Sequence, residues 1–519
     1  MNFVIGPKDS EISTKKALPI LDSSVTLVER MSLSASIDFT EDNIYRLFGN
    51  EAAENESLPR LKEYYFKSKT YEQIVGTLPL RLLVGHKGIG KSALFKIAIS
   101  EDPERGYLPV SIRPDDIVGI GRDTSDFLAL IHDWKQGLIK IISHKILESF
   151  GVKNSNEILS KVTWATGQVA SILIRSVKDI EKRADLTAAQ RLLINNFLRN
   201  HVITIYIDDL DRGWEGKPQD IKKISALLNA VRDLSADNAS IRFRIALRSD
   251  VYFLYRTSDE STDKIDGSVI WYSWTNHDIL LLLVKRVETF LGRQFDETKM
   301  AKWEQYAVAK FLDPVMQPRF YGQGKWENIP TYRMLMSLIR KRPRDLVKLS
   351  SLAARNAYDS GSNLIGTEHF SAIFNDYSQG RVQDAINEYK TELPDIERLI
   401  MNMKPTRKQK TAQESYTFAT DQLFRKIQSV QQTGEFRFAN GKPATEKQLA
   451  QFLYKINFLT ARKMLPNEEI QRKYFEENRY LSNEFADFGY GWEIHPAYRW
   501  ALQPDSVEAI IRQLDLSQE

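Results

Sequence analysis

Five short runs rich in Val, Ile, Leu and aromatic residues recur in the first half of the chain, at Leu78–Val84, Tyr107–Ile112, Val202–Ile207, Ile241–Leu247 and Ser268–Trp274. Stretches with helical spacing of apolar positions separate them. Short apolar strands alternating with helices predict a parallel sheet covered on both faces, because parallel neighbours need long crossovers. The second and third runs are unusually far apart, and Ser125–Asn200 reads as a helical insertion between them. Ahead of the first run, Leu58–Phe66 (LPRLKEYYF) predicts a helix. Gly292–Ser378 is helical in pattern, and Lys404–Ser415 (KPTRKQKTAQES) reads as a polar linker. Beyond it, Thr445–Lys463 predicts a helix, and Arg472–Glu477 and Tyr490–Ile494 predict strands, followed by HPAYRWAL.

At 519 residues the chain exceeds what one hydrophobic core usually supports, so several domains are expected. The pattern divides it into an N-terminal extension (1–75), an α/β core (76–291) with the insertion at about 125–200, a helical lid (292–400) and a C-terminal domain (416–519). That last domain is expected to fold alone. Lys and Arg total 72 against 68 Asp and Glu, a net +4, so any basic surface must be local. The chain has no cysteine, which excludes disulfides, thiolate zinc sites and cysteine nucleophiles. The opening MNFVIGPKDSEISTKK lacks the basic-then-apolar order of an export signal, so a cytoplasmic setting is expected. Val162–Ile174 (VTWATGQVASILI) is too short to cross a bilayer core of about 30 Å, so a buried helix is expected there and no membrane attachment.

Chemistry enters with GHKGIGKS, Gly85–Ser92, which fits G-x-x-x-x-G-K-S without mismatch, follows the first apolar run and opens a helix. Glycines let the backbone wrap close to phosphates, and successive N–H groups with the helix N-terminus supply positive charge. Lys91 neutralises the β and γ phosphates and the Ser92 hydroxyl ligates Mg2+. The predicted nucleotide-binding set is Gly85, His86, Lys87, Gly88, Ile89, Gly90, Lys91, Ser92 and Ala93. A second signal is HVITIYIDDLDRGW, His201–Trp214, an apolar strand ending in acids at its carboxyl edge. Asp208 is predicted to hold Mg2+ through its water shell, and Asp209 to polarise the attacking water. Arg248 ends the fourth run and stands as a catalytic candidate on the γ-phosphate or as a surface group. In RKRPRDLVKL, Pro343 suits a first helical turn, and Arg344 opens a helix that reaches back to the nucleotide. Arg212 and Arg232 are candidates for insertion into a neighbouring subunit. The seven histidines, His86 and His495 among them, show no metal-ligand spacing, and no Asn-Lys-x-Asp guanine signature is present, which leaves adenine.

The set GHKGIGKS, YIDDLDRGW, a strand ending ALRSD and the later RPRDL resembles the AAA-like P-loop ATPases of the STAND and KAP groups. It looks most like stand-alone bacterial P-loop ATPases of phage-defence gene neighbourhoods. The resemblance covers roughly Glu51–Arg355. It implies a five-stranded core with an attached helical lid, ATP as the nucleotide, assembly into oligomers and control of an effector protein. KAP proteins place membrane helices between the two motifs; the insertion here is polar, so that feature is not carried over.

The C-terminal helices followed by a hairpin resemble a winged-helix domain. Lys455, Arg462, Lys463, Arg472 and Lys473, with Lys404, Arg407, Lys408 and Lys410 of the linker, are candidates for a basic patch beside Tyr474, Tyr480 and Trp492. DNA is therefore a candidate partner, against the reading of an interaction module with solvated lysines and core aromatics. Two function classes follow: an oligomeric ATPase switch or motor acting on an effector, and a nucleotide-regulated DNA-binding protein with little turnover.

Overall fold

The computed structural model describes residues 37–52, 55–121, 126–149, 202–237, 240–256, 263–405, 416–467, 469–478, 489–503 and 507–517. Val162–Ile174, the linker residues Arg407, Lys408 and Lys410, and Tyr480 lie outside them. So does most of the predicted insertion, whose described part is the helix Phe127–Ser149.

Five parallel strands form the central sheet: β1 (Leu80–Val84), β2 (Leu108–Ile112), β3 (Ile203–Ile207), β4 (Ile241–Leu247) and β5 (Val269–Trp271). Their order is β2-β3-β4-β1-β5. The predicted runs match these strands, with β4 reproduced end to end and β5 stopping three residues early. Alternation along β1 assigns the two faces. Leu80, Leu82 and Val84 pack with helices Phe127–Ser149 and Pro218–Asp237, while Leu83 joins helix Lys91–Glu101 and the lid on the other side. Both faces are buried, as apolar parallel strands require. The strand order, with β4 between the phosphate-loop strand β1 and the acid-bearing strand β3, makes this an α/β P-loop NTPase core.

Helices Asn276–Phe290, Thr331–Leu338, Pro343–Asp359 and Thr367–Tyr389 follow, with a short ribbon of β6 (Arg319–Phe320) and β7 (Ile329–Pro330). The C-terminal part carries β8 (Thr417–Phe418), β9 (Leu459–Met464), β10 (Ile470–Lys473) and β11 (Gly491–Ile494) in an antiparallel sheet ordered β10-β9-β11-β8. Helices Thr420–Gln431 and Glu446–Lys455 accompany it.

The helix predicted over Thr445–Lys463 ends at Lys455, and its second half is strand β9. Asn457, at φ 58°, turns the chain out of the helix, a left-handed conformation that asparagine tolerates better than most residues. Lid and C-terminal sheet share one hydrophobic core: Trp500 packs on Phe374 at 4.7 Å between ring centroids, and Ala501 N donates to Ser378 Oγ at 2.8 Å.

Candidate functional site

A cleft of about 320 Å³ opens at the carboxyl edge of the central sheet. Lys87, Gly88, Gly90, Lys91, Ser92 and Ala93 form its floor, with Asp208, Asp209, Asp211 and Arg212 on one side. Arg248 and Arg344 line it too, and Tyr64, Tyr65, Phe66, Tyr272 and Trp274 form an aromatic end. Residues from the segment before β1, from the central sheet and from the helices after β5 thus converge on one opening.

The floor has the backbone of an anion cradle. Gly88 and Gly90 have φ of 78° and 105°, values that side chains resist, and Gly90 caps the helix Lys91–Glu101. A Cβ at Gly88 would come within 3.0 Å of Arg344 Cβ, so the helix Pro343–Asp359 sits directly on the loop. Arg344 N donates to Gly88 O at 3.3 Å, and Arg344 Nε to Glu51 O at 3.1 Å. Lys91 Nζ donates to Gly85 O at 2.7 Å and His86 O at 3.0 Å. Burial pushes the Lys91 pKa down, opposed by the carboxylates of Asp211 and Asp208.

Beyond β3 the chain turns sharply. Asp209, exposed and at φ 61°, donates its N–H to Asp208 Oδ1 at 2.9 Å. Asp211 faces inward, where burial pushes its carboxyl pKa up against the pull of Arg248 and Lys91. Arg248 Nη1 reaches Asp211 Oδ2 at 3.4 Å, and Nη2 donates to Glu388 O of the lid at 3.3 Å. Its guanidinium lies 5.2 Å from the Tyr389 ring centroid. Burial would lower the Arg248 pKa, but Asp250, Glu388 and Asp211 outweigh it and hold the group charged. At 9% exposure Arg248 is a buried residue between phosphate loop and acidic turn, rather than a surface group.

Several sequence candidates sit elsewhere. His86, Ile89 and Gly85 do not line the cleft. The His86 side chain is buried behind the loop, Ile89 O accepts from Trp274 Nε1 at 2.8 Å, and Gly85 contributes its carbonyl to Lys91. Arg232 bonds its neighbour Asp233 at 3.1 Å on helix Pro218–Asp237 and lies outside the cleft lining. The aromatic end carried no sequence signal beyond the LPRLKEYYF helix, observed as Leu58–Tyr64. Phe66 meets Trp274 only after the fold closes a separation of some two hundred residues.

Among the described residues, internal pairing breaks up the basic patch expected from the sequence. Lys455 pairs with Glu392, Arg462 with Asp515, and Arg472 with Glu493, and both Lys455 and Arg472 are buried. Tyr474 and Trp492 are core residues, Trp492 Nε1 donating to Thr420 Oγ1 at 3.0 Å. Carboxylates distant in sequence claim these cations, which local charge runs cannot reveal.

The cleft fits Mg-ATP on its own features: a glycine cradle, a lysine and hydroxyl at its floor, carboxylates at its rim and a flat aromatic end. Among the described residues no group of three His, Asp or Glu is placed to hold a metal alone, so a divalent cation here would rely on phosphate oxygens beside Ser92 and Asp208. Among the same residues no helix is long and apolar enough to cross a membrane.

No protein-family model matches the chain. It is 22% identical over 529 aligned positions to the putative transposon gamma-delta 80.3 kDa protein of Escherichia coli (strain K12), covering 91% of this chain and 70% of that one. Solved structures with similar arrangement include the Aeropyrum pernix ORC2 protein in ADPNP–ADP complexes, at 12% identity and a TM-score of 0.38 over 88% of this chain and 97% of that one. Cdc6p from Pyrobaculum aerophilum gives 12% and 0.29 over 88% and 95%, and Drosophila ORC bound to DNA gives 8% and 0.25 over 96% of each. Overlaps this loose add nothing at the level of the site, and the P-loop NTPase fold rests on the chain's own strand order and phosphate loop.

Proposed function

We propose that this chain is a Mg-dependent ATPase that works as an oligomeric switch or motor and controls a partner effector. One observation carries the reading: the cleft gathers Lys91, Ser92, Asp208, Asp209 and Arg248 at the carboxyl edge of a parallel sheet, with the lid seated on the loop through Arg344. Mg2+, when bound with ATP, supplies charge neutralisation at the phosphates. Lys91 leaves its loop carbonyls to meet the β and γ oxygens, and Ser92 and Asp208 orient the cation. Asp209 holds the attacking water, and Arg248 answers charge developing at the γ-phosphate. The aromatic end, from Tyr64 to Trp274, suits a purine ring.

The four-part domain division, the winged-helix character of the C-terminal sheet unit, a cytoplasmic setting and the STAND/KAP and phage-defence associations belong to this proposal. A partner subunit would supply an arginine, for which exposed Arg212 at the cleft rim is the candidate. The DNA-binding alternative draws on the exposed Lys463 and the half-buried Lys473 and on the transposon origin of the E. coli relative, but the internal pairing of Lys455, Arg462 and Arg472 weakens it. Steady-state phosphate release with Mg-ATP, run with and without short duplex DNA at two salt concentrations, tests both. Turnover without DNA supports the switch, and salt-sensitive DNA affinity without turnover supports the alternative.

A further inference from the structure

The second residue of the phosphate loop, His86, faces away from the cleft and into a junction of three parts of the chain. Its Nδ1 lies 2.9 Å from Ser249 Oγ, next to Arg248, and 3.2 Å from Tyr389 OH of the lid. Its Nε2 stands 2.6 Å from Glu476 Oε1, within ion-pair range though off the line of an ideal N–H bond. Glu476 belongs to the turn after β10, in the C-terminal sheet unit. Two hydroxyls able to donate to Nδ1 leave Nε2 carrying the proton toward the carboxylate.

The turn is fixed from behind. Asn457, in its left-handed conformation, accepts from Phe475 N at 3.2 Å through Oδ1 and donates through Nδ2 to Glu476 Oε2 at 3.1 Å. Phe475 is fully buried against Phe253, Tyr454 and His86. Surface loops rarely bury both an aromatic and a carboxylate against another unit's ligand loop.

We propose that Glu476 is a positioning residue for the phosphate loop. Held by Asn457, it fixes His86, and through His86 the backbone from which Lys91 and Ser92 project. The C-terminal sheet unit thereby completes the nucleotide site from behind, and the two exchange binding energy. What loosens the Phe475–Glu476 turn weakens ATP, and ATP tightens the turn by the same factor. This inference rests on the ATP-binding reading above.

The test uses the full chain and the Mg salt of a non-hydrolysable ATP analogue, with affinity read by calorimetry. Glu476→Ala is expected to weaken binding about tenfold, equivalent to about 1.4 kcal/mol. In a His86→Phe background, which keeps ring volume and removes both nitrogens, the same change is expected to cost less than about twofold. In the other direction, saturating analogue is expected to slow amide exchange over Phe475–Asn478 in the unsubstituted protein and not in His86→Phe. If Glu476→Ala does not fold, Glu476→Gln is read in the same way. Equal losses in both backgrounds, unchanged affinity, or exchange indifferent to the analogue overturns the proposal. If the unsubstituted protein binds no better than Lys91→Ala, the ATP reading has failed and this inference falls with it; normal binding with an indifferent Glu476 sinks this inference alone.

Discussion

Asp250 holds Arg248 in a two-point clamp, Nε to Oδ1 at 3.0 Å and Nη2 to Oδ2 at 2.8 Å, from only two residues along the chain. The clamp fixes one edge of the guanidinium, while Nη1 faces Asp211 and Nη2 also meets the lid at Glu388. Arg248 is the cation around which three carboxylates are arranged.

Removing it leaves buried carboxylates uncompensated. Arg248→Ala is expected to lower stability by about 3 kcal/mol, within the range for one partner lost from a buried pair. The double change Arg248→Met with Asp250→Asn is expected to recover much of that loss while leaving hydrolysis impaired. Urea midpoints for the two variants check this; equal midpoints for Arg248→Ala and the unsubstituted protein would show that the clamp is dispensable.

The two acids after β3 are expected to separate in function. Asp208→Ala should weaken Mg-dependent nucleotide binding and turnover together, since Asp208 and Ser92 line the same cleft. Asp209→Asn should keep ATP affinity and lose hydrolysis by at least about a hundredfold, the lower range for a general base. Near-normal turnover in Asp209→Asn would transfer the role to Asp211, which faces inward toward Lys91.

Two buried histidines predict acid sensitivity. Burial pushes the pKa of His86 well below 6.5, helped by Arg342 and Lys91, and burial does the same to His495, helped by Arg472 and Arg340. Below about pH 6.5 the unfolded chain binds protons that the folded chain refuses, so stability is full above that pH and falls beneath it. Each histidine contributes at most about 1.4 kcal/mol per pH unit. Thermal unfolding from pH 7.5 to 5.5 should show a falling Tm, and His495→Gln should flatten the slope; a pH-independent Tm contradicts the assignment.

The shared core bears on what the C-terminal segment does alone. Separated from the lid, a 416–519 fragment exposes Trp500 and Tyr498, which in the intact chain meet Phe374 and Arg340. The fragment is expected to be poorly soluble on its own and to be rescued by extension back to residue 292. Solubility and amide dispersion of the two lengths measure this; a well-dispersed short fragment restores the independent domain expected from the sequence.

The sheet was legible because its information is local. Parallel strands buried on both faces read as continuous apolar runs, and β4 appears in the sequence from Ile241 to Leu247 as it does in the fold. The phosphate loop was legible because its glycines and Lys91 sit at fixed spacing. Long-range pairings were not. Lys455 finds Glu392 and Arg472 finds Glu493 only in the folded chain, so their charges read as a surface. Helical periodicity continued through Leu459–Met464 because alternating and helical apolar patterns overlap over six residues; the turn at Asn457 decides between them.

Every role proposed for the cleft depends on its binding Mg-ATP through Lys91. Calorimetric titration of the intact protein and of Lys91→Ala with Mg-ATP, alongside their thermal unfolding curves, measures it directly. Saturable binding is expected, which Lys91→Ala loses by at least about a hundredfold while both proteins unfold at similar temperature, because the hydrogen bonds of the ammonium are to the loop carbonyls of Gly85 and His86. Equal ATP affinity in the two proteins would contradict it.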